Sequence, residues 1–194
     1  MAGALALKEE YGFTYADYKA WELKPDERYE LINGIAYAMS APNVIHQRIL
    51  IMLASEFYTF LKGKQCEAFA APFDVRLFYE EDESDDTVVQ PDVVIICDPQ
   101  KLGEEGCRGV PDMVVEILSP SNTAIEMQRK LNLYMEAEVR EYWVVDPMNK
   151  HITIYRLQDG EYIIKTCRIQ DTARPGVLSG LEIPVSAIFA EPTV

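Results

Sequence analysis

The chain has 194 residues, a formal net charge of −14 and a hydrophobic content of 48%. This length is typical of one domain, the apolar content is sufficient for a packed core, and the lack of any run of about 18 apolar residues excludes a membrane span. The negative charge argues against broad, sequence-independent binding to phosphate backbones, because such binding needs a basic surface.

The first residues and the cysteines bear on the compartment. The opening segment, MAGALALKEE, holds an apolar patch that is too short for a signal-peptide core. The four cysteines, Cys66, Cys97, Cys107 and Cys167, show no CxxC spacing, so neither a zinc ribbon nor a disulfide framework is expected. We therefore predict a reduced, cytoplasmic protein with free thiols and no membrane partner.

A short helix and a hairpin open the chain. Thr14 is a suitable N-cap for a helix over residues 15–23. Asn33-Gly34 predicts a tight hairpin turn, because both residues tolerate positive φ. Glu30 lies in the first strand of that hairpin, and the pattern alone favours solvent over a site for its side chain.

A long amphipathic helix is predicted over residues 44–62, with Asn43 as its cap and Gly63 at its end. Its apolar residues repeat at helical spacing and should form one buried stripe, namely Ile45, Ile49, Met52, Leu53, Phe57 and Phe60. His46 lies in the first turn, at the edge of the stripe. A single histidine there is more often a local hydrogen-bonding residue than a catalyst.

The middle of the chain alternates strands and loops. Strands are predicted over 65–70 and 74–79, followed by the acidic run EEDESDD at 80–86. We interpret this run as a solvated hairpin tip or loop rather than a metal site. The segment 98–110 contains three glycines and is expected to be an exposed loop with little regular structure.

Two apolar strands carry carboxylates. One follows Gln90-Pro91-Asp92, and the other covers residues 112–118 with Glu116 in its middle. Both faces of the second strand are apolar around the acid, so we expect a central strand that is covered on both sides. An ionised carboxylate there is costly unless a cation or hydrogen-bond donors meet it.

The helix after the second acidic strand carries Lys130 and Tyr134 one turn apart on one face. Residues 119–122 are expected to form the turn and the helix cap. The spacing leaves two roles open for Lys130. It could form a buried salt bridge with Glu116 that only closes the helix onto the sheet, or it could serve a catalytic site.

Two carboxylates on adjacent strands can share one hard cation. Asp92 and Glu116 could bind Mg²⁺ or Mn²⁺, with the backbone carbonyl of Ile117 as a third oxygen ligand. A nearby lysine could orient or deprotonate the attacking water, or neutralise charge on a phosphate. This arrangement is typical of phosphodiester hydrolysis.

The remaining elements complete the predicted architecture. A further apolar strand covers 141–147, a terminal hairpin pairs 152–157 with 162–167, and an apolar turn covers 185–189. We therefore predict an α/β (α+β) fold, in which helices flank a mixed β-sheet and its central strands carry Asp92 and Glu116.

Four segments, in this order, resemble a known family: YELINGIAYAMSAPNVIHQ, QPDVVII, VVEILSPSN and EMQRKLNLYMEAEVREYWVVDP. They resemble the Uma2 family, formerly a domain of unknown function, which is grouped with the PD-(D/E)XK nucleases. The resemblance covers about residues 15–189 of a single domain, 1–194. It implies a restriction-endonuclease-like mixed sheet flanked by helices with additional β-hairpins. It also implies a Mg²⁺-dependent endonuclease acting on nucleic acid, expected to be DNA, and a homodimer is possible.

The resemblance also implies roles for particular residues. Asp92 would be the acid of the PD element and Glu116 the second acid. The usual E-x-K lysine would stand at position 118, but this chain has Leu118 there. In the Uma2 pattern the lysine lies on the following helix, which makes Lys130 the catalytic base or water-orienting group.

Further positions match the same pattern. Tyr134 matches a helix tyrosine, and Glu126 takes the place of a helix acid four residues before the lysine. Glu30 and His46 match the YEL and HQ elements, which places both as accessory residues near the site. Two other functions remain open: a catalytically silent nuclease-fold module for binding or assembly, favoured by the acidic surface, and a hydrolase of small phosphodiesters.

Overall fold

The computed structural model of the chain describes residues 12–21, 28–120 and 122–190. Its helices are α1 (Tyr15–Trp21), α2 (Val44–Leu61), α3 (Ala124–Glu136) and α4 (Val185–Ile188), with one 3-10 turn at Pro99–Lys101. In the part of the chain that is described, no helix combines the length and the apolar character needed to cross a membrane.

The strands are distributed over two six-stranded sheets and one small pair. They are β1 (Tyr29–Ile32), β2 (Ile35–Ala38), β3 (Glu67–Ala70), β4 (Asp74–Arg76), β5 (Val88–Val89), β6 (Val93–Ile96), β7 (Leu102–Gly103), β8 (Gly106–Arg108), β9 (Met113–Ile117), β10 (Glu141–Asp146), β11 (His151–Gln158), β12 (Glu161–Arg168), β13 (Thr172–Ala173) and β14 (Ile183–Pro184). The central sheet has the order β12-β11-β10-β9-β6-β3, and the second sheet has the order β2-β1-β5-β4-β8-β7. Both are mixed, since β9 and β10 pair in parallel and so do β4 and β8. The predicted α/β (α+β) class is confirmed.

Strand β9 lies inside the central sheet, between β6 and β10. On one face, Met113, Val115 and Ile117 pack in the core that α2 covers. On the other face, Val114 packs with Leu133 of α3 and with residues of the second sheet. The predicted two-sided cover of this strand is confirmed, and it places Glu116 on the face that α3 covers.

Local sequence signals account for the turn and the helix starts. Asn33 and Gly34 have φ angles of 51° and 71°, as the hairpin between β1 and β2 requires. The side chain of Asn43 accepts a hydrogen bond from the backbone of His46 at the start of α2. Helix α3 is capped by Thr123 in a capping box, and not by residues 119–122 as predicted.

The buried stripe of α2 is rotated from the prediction. Ile45 is 56% exposed, whereas Leu50 and Leu61 are buried with Ile49, Leu53 and Phe57. The side that faces the core thus runs through Leu50 and Leu61, which leaves Ile45 at its solvent edge. Helix α1 starts after Thr14 as predicted, and its predicted end lies outside the described residues.

The segment 98–110 is a correction, because it carries regular structure. Strands β7 and β8 pair with each other, and β8 adds to the second sheet in parallel with β4. Cys107 of β8 is 1% exposed and packs in the core between the sheets. The three glycines suggested a loop, but pairing with β4 satisfies the backbone of this segment.

The cysteines correct the prediction of four free thiols. Cys66 and Cys97 form a disulfide. The antiparallel register of β3 and β6 pairs Glu67 with Ile96, so the next residues outward meet across the two strands. Cys107 and Cys167 are free and buried. The cytoplasmic location rested on free thiols and stays a prediction, as do the single domain and the homodimer.

The acidic run at 80–86 connects β4 to β5, which pair antiparallel. Most of its side chains are exposed, as predicted for a hairpin tip. Asp85 is the exception, since it is buried and forms an ion pair with Arg76. The charge of Asp85 therefore stabilises the fold through this ion pair and is not part of the exposed acidic surface.

Candidate active site

A cleft of about 670 Å³ opens at the end of the central sheet that carries the two acidic positions. Its walls come from the β1–β2 hairpin, the first turns of α2, helix α3 and the exposed face of β10 and β11. Six of the site residues predicted from the sequence line this cleft, namely Glu30, His46, Asp92, Glu116, Ile117 and Lys130. Tyr134 does not line it.

Asp92 and Glu116 lie opposite each other on neighbouring strands. The antiparallel register pairs Val93 with Val115, so the preceding residue Asp92 meets the following residue Glu116. Side chains in directly opposed positions have their Cβ atoms about 4.5–5.5 Å apart, and like charges there repel. A stable pair of carboxylates at this point therefore needs a cation or strong donors.

Glu116 receives two hydrogen bonds on one oxygen. Lys130 Nζ donates to Glu116 Oε1 at 2.8 Å, and the hydroxyl of Tyr134 donates to the same oxygen at 2.7 Å. Tyr134 is fully buried one turn beyond Lys130 on α3. The predicted helix pair thus meets the strand acid, and Tyr134 orients it from the core side.

Lys130 also contacts a second carboxylate. Its ammonium donates to Glu30 Oε1 at 2.9 Å, and the backbone N–H of Gln90 donates to the same oxygen at 2.9 Å. Glu30 is only 6% exposed, so the sequence pattern that favoured solvent was wrong. The pattern could not show that α3 covers this face of the hairpin and supplies a cation.

The charges shift the ionisation of these groups. Burial, together with the charges of Asp92 and Glu30, raises the pKa of Glu116 to about 7 against the opposing effect of Lys130. Burial would lower the pKa of Lys130, but Glu116 and Glu30 outweigh it and raise that pKa well above its ordinary value. Lys130 is therefore an ammonium ion, and Glu116 holds a proton more readily than an ordinary glutamate.

Asp92 is held by donors on its other side. Its Oδ2 accepts the backbone N–H of Ile117 at 2.7 Å and lies 3.1 Å from His46 Nε2. His46 is 7% exposed. Burial lowers its pKa, but the hydrogen bond and charge of Asp92, the charge of Glu116 and the backbone of Ile117 together outweigh burial, so the pKa is raised. Its buried Nδ1 has no hydrogen-bond partner within the described ranges. The backbone of His46 therefore takes part in the cap of α2, and its ring holds Asp92 in position.

The donor set fits a small hard cation. In the described part of the chain, neither Asp92 Oδ1 nor Glu116 Oε2 accepts a hydrogen bond, while their sister oxygens are both occupied. No group of three or more His, Cys, Asp or Glu side chains that could hold a metal occurs among the described residues. Two carboxylates nevertheless suit Mg²⁺, which takes few protein oxygens and completes its shell with water or phosphate.

Sequence reasoning missed Gln90. Gln90 donates from its side chain to Asp74 and Tyr18 and also holds Glu30 through its backbone, so it links the hairpin to the site. Glu126 lines the cleft, but its carboxylate accepts the backbone N–H of Thr123 and caps α3. The only available signal for Gln90 was its place beside the PD element.

Comparisons with known proteins give a matching family model and a shared fold. The family model Uma2, described as "Putative restriction endonuclease", matches residues 15–186. A protein from Synechocystis sp., described as uncharacterized protein slr1290, is 27% identical over 175 residues, which are 89% of each chain. A crystal structure from Anabaena variabilis, described as a "putative nuclease belonging to DUF820", superposes with a TM-score of 0.69. The two chains are 20% identical, and the match covers 91% of this chain and 97% of the other. The structural likeness shows a shared fold.

Proposed function

The chain belongs to the Uma2 family, and on this premise we propose that it is a metal-dependent endonuclease that hydrolyses phosphodiester bonds in nucleic acid, with DNA as the expected substrate. The observation that carries the proposal is the opposed pair Asp92 and Glu116, which line the cleft beside Lys130 and each have one carboxylate oxygen without a hydrogen bond among the described residues. This pair and the nearby ammonium support the assignment of a PD-(D/E)XK site whose lysine comes from a helix.

Asp92 and Glu116 would hold Mg²⁺ or Mn²⁺, with the backbone carbonyl of Ile117 as the proposed third oxygen. A bound ion of this kind would activate a water and offset the negative charge that develops on the phosphate. The protein's own part is to keep the two carboxylates in place. The N–H of Ile117 and the ring of His46 hold Asp92, and Tyr134 holds Glu116.

Lys130 is assigned the orienting role rather than the role of base. Its ammonium already donates to Glu30 and Glu116, and it has no lone pair that could take a proton from water. At this position it can donate to the attacking water or to a phosphate oxygen. The ion pair with Glu30 helps to hold the ammonium of Lys130 next to Glu116.

A nicking assay tests the proposal. Supercoiled plasmid, single-stranded DNA, RNA and a small phosphodiester such as bis(4-nitrophenyl) phosphate are each incubated with Mg²⁺ or Mn²⁺. We expect cleavage of the polynucleotide, its loss in Glu116→Gln, and parental cleavage in Glu136→Gln, whose side chain is exposed at the end of α3. Hydrolysis of the small ester alone would replace the proposal with a small-phosphodiesterase, and no hydrolysis of any substrate would support a silent module.

A further inference from the structure

Two arginines line the same cleft and are held by neutral groups. The guanidinium of Arg129 on α3 stacks over the ring of Tyr37, with its central carbon 3.9 Å from the ring centroid. Arg28, just before β1, donates from Nε to the side-chain oxygen of Gln90 at 3.2 Å, and its terminal nitrogen donates to the same oxygen. Within the described ranges, neither arginine forms an ion pair. Both side chains therefore line the cleft without a carboxylate at ion-pair distance.

Most other arginines of the described chain are neutralised by carboxylates. Four of them have such a partner: Arg76 with Asp85, Arg140 with Asp112, Arg156 with Glu141 and Arg174 with Glu182. Three more, Arg48, Arg108 and Arg168, have no ion pair, but none of them lines this cleft. In a chain of net charge −14, Arg28 and Arg129 are thus the arginines without an ion pair, among the described residues, that line the cleft beside the carboxylate pair.

The hairpin register explains why Arg129 stays unpaired. Glu30 and Tyr37 are directly opposed on β1 and β2, so their side chains stand together on one face. Lys130 takes the carboxylate of this pair, and the preceding residue, Arg129, takes the aromatic ring. Lys130 thus forms the ion pair with Glu30, the acid of the hairpin. The ring of Tyr37 holds the guanidinium of Arg129 in place without neutralising its charge.

We propose that Arg28 and Arg129 form a phosphate-binding subsite that holds backbone phosphates of a polynucleotide next to the reacting phosphodiester. This inference rests on the proposed function, since it concerns the same cleft. A guanidinium presents paired donors that match the oxygens of a phosphate. The net charge of −14 opposes a general attraction of nucleic acid to the protein, so binding needs local positive groups of this kind.

The test is the salt dependence of binding. Fluorescence anisotropy with labelled duplex DNA, single-stranded DNA and RNA is measured in EDTA, which prevents metal-dependent cleavage, over a range of salt concentrations. We expect Arg129→Gln and Arg28→Gln each to weaken binding and to reduce the slope of log affinity against log salt by about 0.9 for duplex DNA. Lys165→Gln is the matched control. Lys165 is exposed on β12 opposite Ile154, on the sheet face that α2 covers, and should keep the parental slope.

Substitutions of Tyr37 separate the effect of the position of the Arg129 guanidinium from the effect of its charge. Tyr37→Phe keeps the ring and should retain both the affinity and the slope of the parent. Tyr37→Leu removes the ring but not the charge of Arg129, so it should weaken binding while leaving the slope nearly unchanged. Circular dichroism of each variant checks that the fold is retained.

The possible failures can be told apart. If the parent binds or cleaves a polynucleotide and both arginine variants behave as Lys165→Gln does, the subsite is wrong and the proposed function stands. If the parent binds no polynucleotide at low salt and hydrolyses none, the subsite and the proposed substrate are both overturned.

Discussion

Lys130 Nζ lies 2.8 Å from Glu116 Oε1 and joins helix α3 to strand β9 in the wall of the cleft. The same ammonium reaches Glu30 at 2.9 Å. Two roles were open for Lys130 from the sequence, a structural salt bridge or a catalytic group. The structure contains the salt bridge between Lys130 and Glu116. Because Asp92 lies opposite Glu116, the same position of Lys130 is also compatible with a catalytic role.

Replacing Lys130 by methionine should destabilise the metal-free protein. Glu116 and Glu30 are 12% and 7% exposed in their side chains, so the substitution leaves two largely buried carboxylates without their cation. We expect the free energy of unfolding to fall by roughly 3 kcal/mol, measured by denaturant titration in EDTA. Lys165→Met, at an exposed position, should change it by less than about 0.5 kcal/mol. Equal stability of Lys130→Met and the parent would indicate a wet site in which water replaces the ammonium.

The position of the ammonium should matter more than its point of attachment. Lys130→Ala should abolish cleavage while leaving metal binding largely intact. Leu118 lines the cleft two residues beyond Glu116 on the same face, so Lys130→Ala with Leu118→Lys should recover a measurable part of the rate. The recovery is reduced by the lost packing of Leu118. Full activity of Lys130→Ala in the nicking assay would remove Lys130 from the mechanism, and a folded double variant without activity would deny that the two lysine positions are equivalent.

Metal binding should depend on Asp92. Asp92→Asn removes one carboxylate of the opposed pair, and we expect Mn²⁺ binding measured by calorimetry to weaken at least tenfold, about 1.4 kcal/mol. Glu136→Gln makes the same kind of change at an exposed position of α3 and should bind Mn²⁺ like the parent. Parental affinity in Asp92→Asn would show that the two carboxylates do not share an ion.

The raised pKa of Glu116 predicts a pH dependence of stability. Burial raises this pKa from its ordinary value of 4.5 to about 7, so the folded protein binds the proton more tightly than the unfolded chain does. The stabilisation from the protonated form is complete below about pH 4.5 and is lost as the pH rises through about 7.

The comparison is between the parent and Glu116→Gln in EDTA. The glutamine does not titrate, so the parent should lose on the order of 2–3 kcal/mol relative to this variant between pH 4.5 and 8. Denaturant titrations over that range measure the difference. Parallel curves for the two proteins would mean that Glu116 has an ordinary pKa.

The disulfide predicts a thiol count. In denaturant without reductant, a thiol reagent should detect only Cys107 and Cys167, whereas the reduced protein should give all four cysteines. In the native protein even these two should react slowly. Both are buried, and burial raises the pKa of Cys107 to about 12. Four reactive thiols in unreduced, denatured protein would contradict the Cys66–Cys97 bond.

Where neighbouring residues decide a structure, the sequence predicted it. The turn at Asn33-Gly34 depends on two residues that accept positive φ, and the start of α2 depends on the cap by Asn43. The alternation along β9 placed Glu116 on one face, and the spacing along α3 placed Lys130 and Tyr134 together. The candidate acids Asp92 and Glu116 could be found in this way because strand and helix periodicity are local properties.

The tertiary structure alone decided which groups meet. Glu30 turns toward Lys130 because α3 covers the hairpin, and Cys66 reaches Cys97 because β3 pairs with β6. Segment 98–110 became two strands because the edge of β4 was there to pair with it. No pattern within one segment reports these contacts. Each depends on the free energy gained when distant segments bury surface and satisfy one another's charges and hydrogen bonds.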